Sequence, residues 1–427
     1  MRPCRRKIGR DAVSTTDVAI IGAGPYGLSL GAHLRHRGVD HRIFGHPMQF
    51  WRQIAQGANN RYLKSFGCGT NIYTPEPSYS FVEYCRKRGV ESFEPCAISD
   101  FANYGVWVQE NAIPNVQRAD VVDVSPVQGG GYRMTLTSGE RFFSKQVVIA
   151  VGVASYAHLP PELAHLPKHL LNHTSEVGKF DTLRGREVCV VGAGQSALET
   201  TMLLNQAGAR PHLLVRGNQV AWNKRIPERR TLWRRLRSPI SGVGTGPKAW
   251  LLTTFPGAIH HAPEKWRVEF VNRHLGAEGA WWLRDLVEDK VPRDLNCTVI
   301  AAREKGDRVA LLVQDPVHGK RELEFDHVIA GTGFKVDIDR LSFLSDELRS
   351  PMRRIGRAPK LDHNFESSVP GIFFLGPTSA LSFGPLFRFV AGASYAAPSL
   401  ATHLAKKRSV SGSARTSVAW SEQGSNG

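Results

Sequence analysis

At 427 residues the chain is long for one compact core, and 41% hydrophobic with 22% charged residues describes folded protein rather than disorder, so two globular domains are expected. Lys and Arg number 55 against 38 Asp and Glu, a formal net charge of +17. The excess is divided between the tails (Arg2, Arg5, Arg6 and Lys7; Lys406, Lys407 and Arg408) and one central stretch, with no nucleic-acid module between them. Nucleic acid is set aside as a partner, and anionic cofactors or substrates are left to account for the charge.

No apolar run reaches the roughly 18 residues of a membrane span. The longest candidate, Gly371 to Ala393, is cut by Pro377, Pro385 and Arg388. The basic start MRPCRRKIGRD runs into a glycine turn without a signal-type apolar stretch, so a cytoplasmic protein is expected, neither membrane-bound nor carrying a cleaved signal. The cysteines, Cys4, Cys68, Cys85, Cys96, Cys189 and Cys297, form no C-x-x-C pair, so no metal site or thioredoxin-type dithiol is written locally. Homo-oligomerisation is left open.

In chain order, residues 1–15 are a basic tail, and strand, glycine turn, helix and strand follow over Asp17 to Phe44. In Gly22-Ala-Gly24-Pro-Tyr-Gly27 the first glycine makes the tight turn, the second lets backbone approach a pyrophosphate, and the third lets helix pack on strand. The phosphates then meet the positive end of a helix dipole. The acidic residue expected about 20 positions on, at the end of the second strand, is missing. The chain reads Ile43-Phe44-Gly45-His46 there, which leaves ribose contact to Gln49 or backbone groups, with Trp51 counted among the cofactor-binding residues.

The device repeats. Glu187 to Val215 carries Gly192-Ala-Gly194-Gln-Ser-Ala197, with Gln195 and Ser196 placed at the nicotinamide or its phosphates, or as helix caps, and Ala197 in place of the third glycine. The strand after it ends on Arg216, where a guanidinium favours a 2′-phosphate and hence NADPH over NADH. One dinucleotide site for NADPH suggests that the other holds the flavin it reduces.

Each copy later enters a buried β-branched strand, VVIAVG or HVIAGTG, and a further strand and glycine-rich loop, FESSVPGIFFLGPTSALSFGP, follow the second. The expected fold is α/β, with two Rossmann-like dinucleotide-binding domains. A discontinuous FAD domain (16–155 and 325–405) receives an inserted NADPH domain (156–324), and 406–427 is a flexible tail. The stretch Glu228 to Arg237 sets Arg230, Arg234 and Arg237 on one helical face, either solvated or forming a basic rim for an anionic ligand. Phe383-Gly384-Pro385 is expected to open a helix over Leu386 to Ala396 whose N-terminus faces the flavin pyrimidine edge.

From Asp17 to about Leu404 the chain resembles the two-domain, class B-like FAD/NADPH flavoprotein monooxygenases, near their N-hydroxylating (ornithine/lysine N-hydroxylase-like) branch. VVGAGQSALE is similar to that branch's GGGQSAAE-type turn, and Asp326-His-Val-Ile-Ala-Gly-Thr-Gly333-Phe334 to its D-x-x-x-x-A-T-G-Y. YLKSF and PEPSYSFVEYCRKRG resemble its FLKD and S-F-x-x-Y-L segments. Of the F-x-G-x-x-x-H fingerprint only His173 stands, with Pro167 and His169 in the earlier places. In place of the branch's N-E and T-N-Y segments the chain has Trp222-Asn-Lys-Arg and Gly279-Ala-Trp-Trp-Leu. Bacterial urate hydroxylase-like flavoproteins are similar as well.

The resemblance implies that NADPH reduces FAD, that the reduced flavin captures O₂ as a C4a-hydroperoxide, and that a small nitrogen-containing metabolite is hydroxylated. N-oxygenation of an amine leads, with ring hydroxylation of a urate-like heterocycle and a catalytically silent nucleotide sensor as alternatives. It implies that Lys64 meets a substrate carboxylate, and it makes His173 the second catalytic candidate beside a structural histidine.

Overall fold

The computed structural model describes residues 14–57, 61–65, 69–90, 95–176, 178–225, 231, 233, 238–274 and 276–421. Residues 1–13 of the basic tail and almost all of the Glu228 to Arg237 stretch, including Arg230, Arg234 and Arg237, lie outside them.

The first unit opens with β1 (Thr15–Ile21), α1 (Pro25–His36), β2 (His41–Phe44), α2 (Gln49–Gly57) and α3 (Ile98–Ala112), followed by β3 (Val116–Gln117), β4 (Val121–Pro126), β5 (Tyr132–Leu136) and β6 (Arg141–Ile149). β1 is central, parallel to β2 through Val18 opposite His41 and to β6 through Ile21 opposite Ile149. Its Val18, Ala19 and Ile20 are buried because both faces are covered, as a parallel strand requires. Pro25 occupies the first turn of α1, where its missing N–H costs nothing.

The second unit contains β7 (Leu171–His173), β8 (Glu187–Val191), α4 (Gln195–Gln206), β9 (Arg210–Leu214) and β10 (Arg293–Asp294), with α5 (Pro247–Thr254) and α6 (Glu264–Arg273) lying between β9 and β10 in the chain. An antiparallel meander of β11 (Thr298–Lys305), β12 (Arg308–Asp315) and β13 (Gly319–Phe325) leads to β14 (His327–Ala330). The order β10-β9-β8-β14-β7 forms an all-parallel sheet. The chain then returns to the first unit, where β15 (Ile372–Phe374) lies parallel to the end of β6, Phe374 opposite Ile149. A long helix, α7 (Ala393–Ser421), packs along α1. One core therefore draws on both halves of the chain, from Ile20 and Leu28 to Phe373 and Leu400.

The described elements depart from the expected division at three points. A boundary at 325 would put β14 in the first unit, but Val188 pairs with His327 and Val191 with Ala330, so this strand completes the second sheet. Residue 406 falls inside α7, and Lys407 Nζ lies 2.8 Å from Glu366 Oε2. Within the block expected as one inserted domain, α6 docks on the first unit: Arg267 Nε donates to Leu381 O at 2.8 Å and Glu264 pairs with Lys360 at 2.8 Å.

The four described cysteines, Cys85, Cys96, Cys189 and Cys297, are buried. Among the described residues no helix is long and apolar enough to cross a membrane.

Candidate functional site

At the first glycine turn Gly22 has φ +116°, and a Cβ there would meet Ala150 O at 2.3 Å. A Cβ on Gly27 would stand 1.9 Å from Gly22 O, whereas one on Gly24 would have nothing within 4 Å. Two glycines are thus demanded by the turn, and the middle one keeps a face clear for a ligand. That face opens on a cavity of about 490 Å³, lined among others by Gly22, Gly24, Gln49, Trp51 and Leu63. Where a ribose-binding acid was missed, Gly45 and His46 line the wall. Met48, at φ 54°, donates its N–H to Ala23 O at 3.0 Å and so fixes the start of α2 against the turn. Trp51 is held edge-on to Phe101, ring centres 5.0 Å apart.

The helix expected from Pro385 is not formed. Pro385–Arg388 and Val390–Gly392 are separate 3₁₀ turns, divided by an extended Phe389 (φ −112°, ψ 159°). Phe383, Gly384 and Pro385 do not line the cavity: Phe383 stacks on Phe365 at 4.0 Å, and a Cβ on Gly384 would come 2.8 Å from Ile259 Cδ1. Arg388, Phe389 and Val390 take that place on the wall. The cause is Tyr26, whose hydroxyl is shared between Phe387 O at 3.0 Å and Phe389 O at 2.8 Å, carbonyls that a continuous helix would have used itself. Burial raises the Tyr26 pKa well above the usual phenol value, so it remains a neutral donor. Sequence reasoning missed it, although it sits inside the first glycine turn.

The second turn repeats the first. Gly192 has φ +135° and its Cβ would meet Gly331 O at 2.3 Å, while the nearest atom to a Cβ on Gly194 is Ala277 Cβ at 3.7 Å. Gln195 Oε1 accepts from Ala280 N at 2.8 Å, and its buried Nε2 has no hydrogen-bond partner among the described residues. Ser196 and Arg216 are exposed. The two segments that stand in place of the N-E and T-N-Y motifs pair with one another, Asn223 N donating to Gly279 O at 2.8 Å and Trp281 N to Asn223 Oδ1 at 2.7 Å.

Neither catalytic candidate lines the cavity. His173 is fully buried: Nε2 donates to Gly333 O at 3.0 Å, which leaves Nδ1 to accept from Ser175 N at 3.2 Å. Both nitrogens are engaged, so this histidine ties β7 to the loop after β14, and burial depresses its pKa. Leu63 and Ser65 line the cavity, but Lys64 between them does not. Its Nζ turns to Glu278, 3.4 Å from the carbonyl and 3.7 Å from Oε2, and burial lowers its pKa against the opposing pull of that carboxylate.

Residues 14–227 match the sequence family described as L-lysine 6-monooxygenase/L-ornithine 5-monooxygenase. A probable indole-3-pyruvate monooxygenase of Arabidopsis thaliana is 27% identical over 202 residues, 46% of each chain. The chain spans about half the length of the curated relatives it matches. In fold it is similar to the reduced form of an ornithine hydroxylase from Pseudomonas aeruginosa, with TM-score 0.72 and 15% identity over 92% of this chain and 99% of the other. It is equally similar to an ornithine N-hydroxylase of Kutzneria sp. 744, solved with reduced FAD, NADP⁺ and L-ornithine, with TM-score 0.72 and 15% identity over 92% of this chain and all of that one. The matched region covers half of the chain and takes in both glycine turns, and on that ground the chain belongs to the L-lysine 6-monooxygenase/L-ornithine 5-monooxygenase family.

Proposed function

We propose that the protein is a flavin-dependent monooxygenase that uses NADPH and O₂ to hydroxylate a small nitrogen-containing metabolite, by N-oxygenation of an amine. The observation that carries this reading is the pair of glycine turns, each with a middle glycine left open, the first facing the cavity of about 490 Å³. Family membership and the cofactors named for the Kutzneria enzyme support FAD in the first site and NADPH at the second.

Bound FAD supplies hydride acceptance and oxygen activation. The first turn of α1 presents backbone N–H groups to its pyrophosphate through the open side of Gly24. Trp51 and Phe389 wall the cavity and keep water from it, and Gln49 is the side chain available to a ribose. At the second turn Gln195 is anchored through Oε1 and leaves Nε2 to donate, while exposed Arg216 binds the 2′-phosphate that separates NADPH from NADH.

The test is NADPH oxidation by the flavin-loaded protein under ¹⁸O₂ with panels of mono- and diamines, amino acids and purines. A hydroxylamine carrying one labelled oxygen is the expected product. Label in a purine ring would replace the amine reading with ring hydroxylation, and unlabelled products throughout would end the monooxygenase reading.

A further inference from the structure

Where the two nucleotide units meet, an ion pair is enclosed. Arg61 and Glu199 are 5% and 3% exposed, with Arg61 Nη1 3.6 Å from Glu199 Oε2. The other carboxylate oxygen accepts the Tyr62 N–H at 2.8 Å, so the first unit holds Glu199 at both oxygens. Arg61 Nη2 donates to Thr200 Oγ1 at 3.3 Å, and its guanidinium lies 5.5 Å from the Phe180 ring centre. Arg61 is itself anchored, its carbonyl accepting Ile98 N at the start of α3 at 2.9 Å. Two residues after Arg61, Leu63 lines the cavity, and one turn before Glu199 stands Gln195 at the second glycine turn.

An enclosed ion pair is a poor source of stability, because desolvation of both charges offsets their attraction and an apolar pair would serve as well. It is a good selector of geometry. Apolar surfaces tolerate sliding, whereas a rotation of α4 that parted Glu199 from Arg61 would leave two buried charges without partners. The two-cofactor reading above needs such selection, since hydride transfer requires reacting atoms in near contact. That transfer oxidises NADPH to NADP⁺ and reduces FAD to FADH⁻ by one hydride.

We propose that Arg61 and Glu199 form a positioning pair that holds the second glycine turn in register with the first cavity for this transfer. The inference rests on the proposed two-cofactor reading, and its test has one arm that needs no cofactor.

In that arm, run at pH 8 so that Glu199 carries its charge, spin labels replace the exposed Val122 of the first unit and Val317 of the second, and their distance distribution is measured in the full chain without nucleotide. A narrow distribution in the parent that broadens in Glu199→Gln and Arg61→Met is expected, with Arg61→Lys close to the parent. In the second arm the flavin-loaded protein is reduced without oxygen. Glu199→Gln and Arg61→Met should lower the limiting rate with NADPH about tenfold to hundredfold, while nucleotide affinity and reduction by dithionite hold. Arg61→Lys should recover most of that rate. Unbroadened distances overturn the proposal, as do limiting rates within about twofold of the parent. A parent that binds no flavin, or that NADPH fails to reduce, overturns the two-cofactor reading, while the distance arm still decides whether the pair fixes the units. Should Glu199→Gln not fold, the two Arg61 variants carry both arms.

Discussion

Ala197 on α4 and Gly331 after β14 share room for one methyl group: a Cβ built on Gly331 would stand 2.4 Å from the Ala197 Cβ. In the first unit the assignment is reversed. Gly27 lies on the helix and Ala150 follows the strand, and Ala150 N donates to Ile21 O just as Gly331 N donates to Val191 O, both at 2.8 Å. There a Cβ on Gly27 would meet Gly22 O first, at 1.9 Å. Gly331→Ala should destabilise the second unit by about 1–3 kcal/mol through overpacking. Adding Ala197→Gly should return only part of it in urea unfolding, because the new Cβ would still stand 2.9 Å from the Cα of residue 197, and a double variant no better than the single would refute the shared contact.

The two middle glycines separate the cofactors. Neither Gly24 nor Gly194 needs a left-handed backbone, at φ −88° and −84°, so Gly24→Val and Gly194→Val should each cost about 1 kcal/mol or less as changes at a helix N-cap. Gly24→Val should purify with little flavin. Gly194→Val should keep its flavin yet lose reduction by NADPH, and identical behaviour of the two variants would contradict the assignment of one nucleotide to each turn.

Burial raises the Glu199 pKa from 4.5 to about 7, against the opposing pull of Arg61 and the Tyr62 N–H. A carboxyl whose folded pKa lies above its unfolded one contributes stability in the protonated form, complete below about 4.5 and lost as pH climbs through about 7. Relative to Glu199→Gln, the parent should therefore lose stability between pH 5 and pH 8. Denaturant titrations across that range would show it, and a pH-independent difference would remove Glu199 as its source.

Tyr26→Phe deletes the hydroxyl shared by the Phe387 and Phe389 carbonyls. Leaving those buried acceptors short should cost about 1–3 kcal/mol. Because Phe389 lines the cavity, flavin affinity should fall in the same variant. Full stability with unchanged flavin binding would show that the 3₁₀ turns hold without the tyrosine.

Arg216 is exposed and follows β9, so its removal should leave the fold intact. Arg216→Ala should raise KM for NADPH about tenfold and leave NADH nearly unaffected, in line with loss of one charge-assisted phosphate contact. An equal effect on both nucleotides would place the 2′-phosphate elsewhere.

The parts legible in the sequence are those governed by local rules. Gly22, Gly27 and Gly192 are dictated by the clash a Cβ would make within the turn or against the next strand, which is why the motif spacing could be read directly. Gln49 and Trp51 follow from lying just past the second strand, on the wall of the same cavity. The 385–392 segment was misread because a proline before an apolar run signals a helix start, while the competing acceptor demand comes from Tyr26, more than 350 residues away in the chain. The direction of Lys64 was not legible, because motif similarity gives no direction for a side chain and Glu278, which it meets, belongs to the other unit.

By itself the sequence determined the duplicated α/β plan and the two glycine turns, since steric limits on glycine and the burial of β-branched strands act over a few residues. The tertiary structure decided that β14 belongs to the second sheet, that α6 crosses to the first unit, that His173 is enclosed, and that Arg61 meets Glu199. Those outcomes depend on which distant groups can satisfy a buried charge, carbonyl or strand edge, and they are settled only when the whole chain is packed.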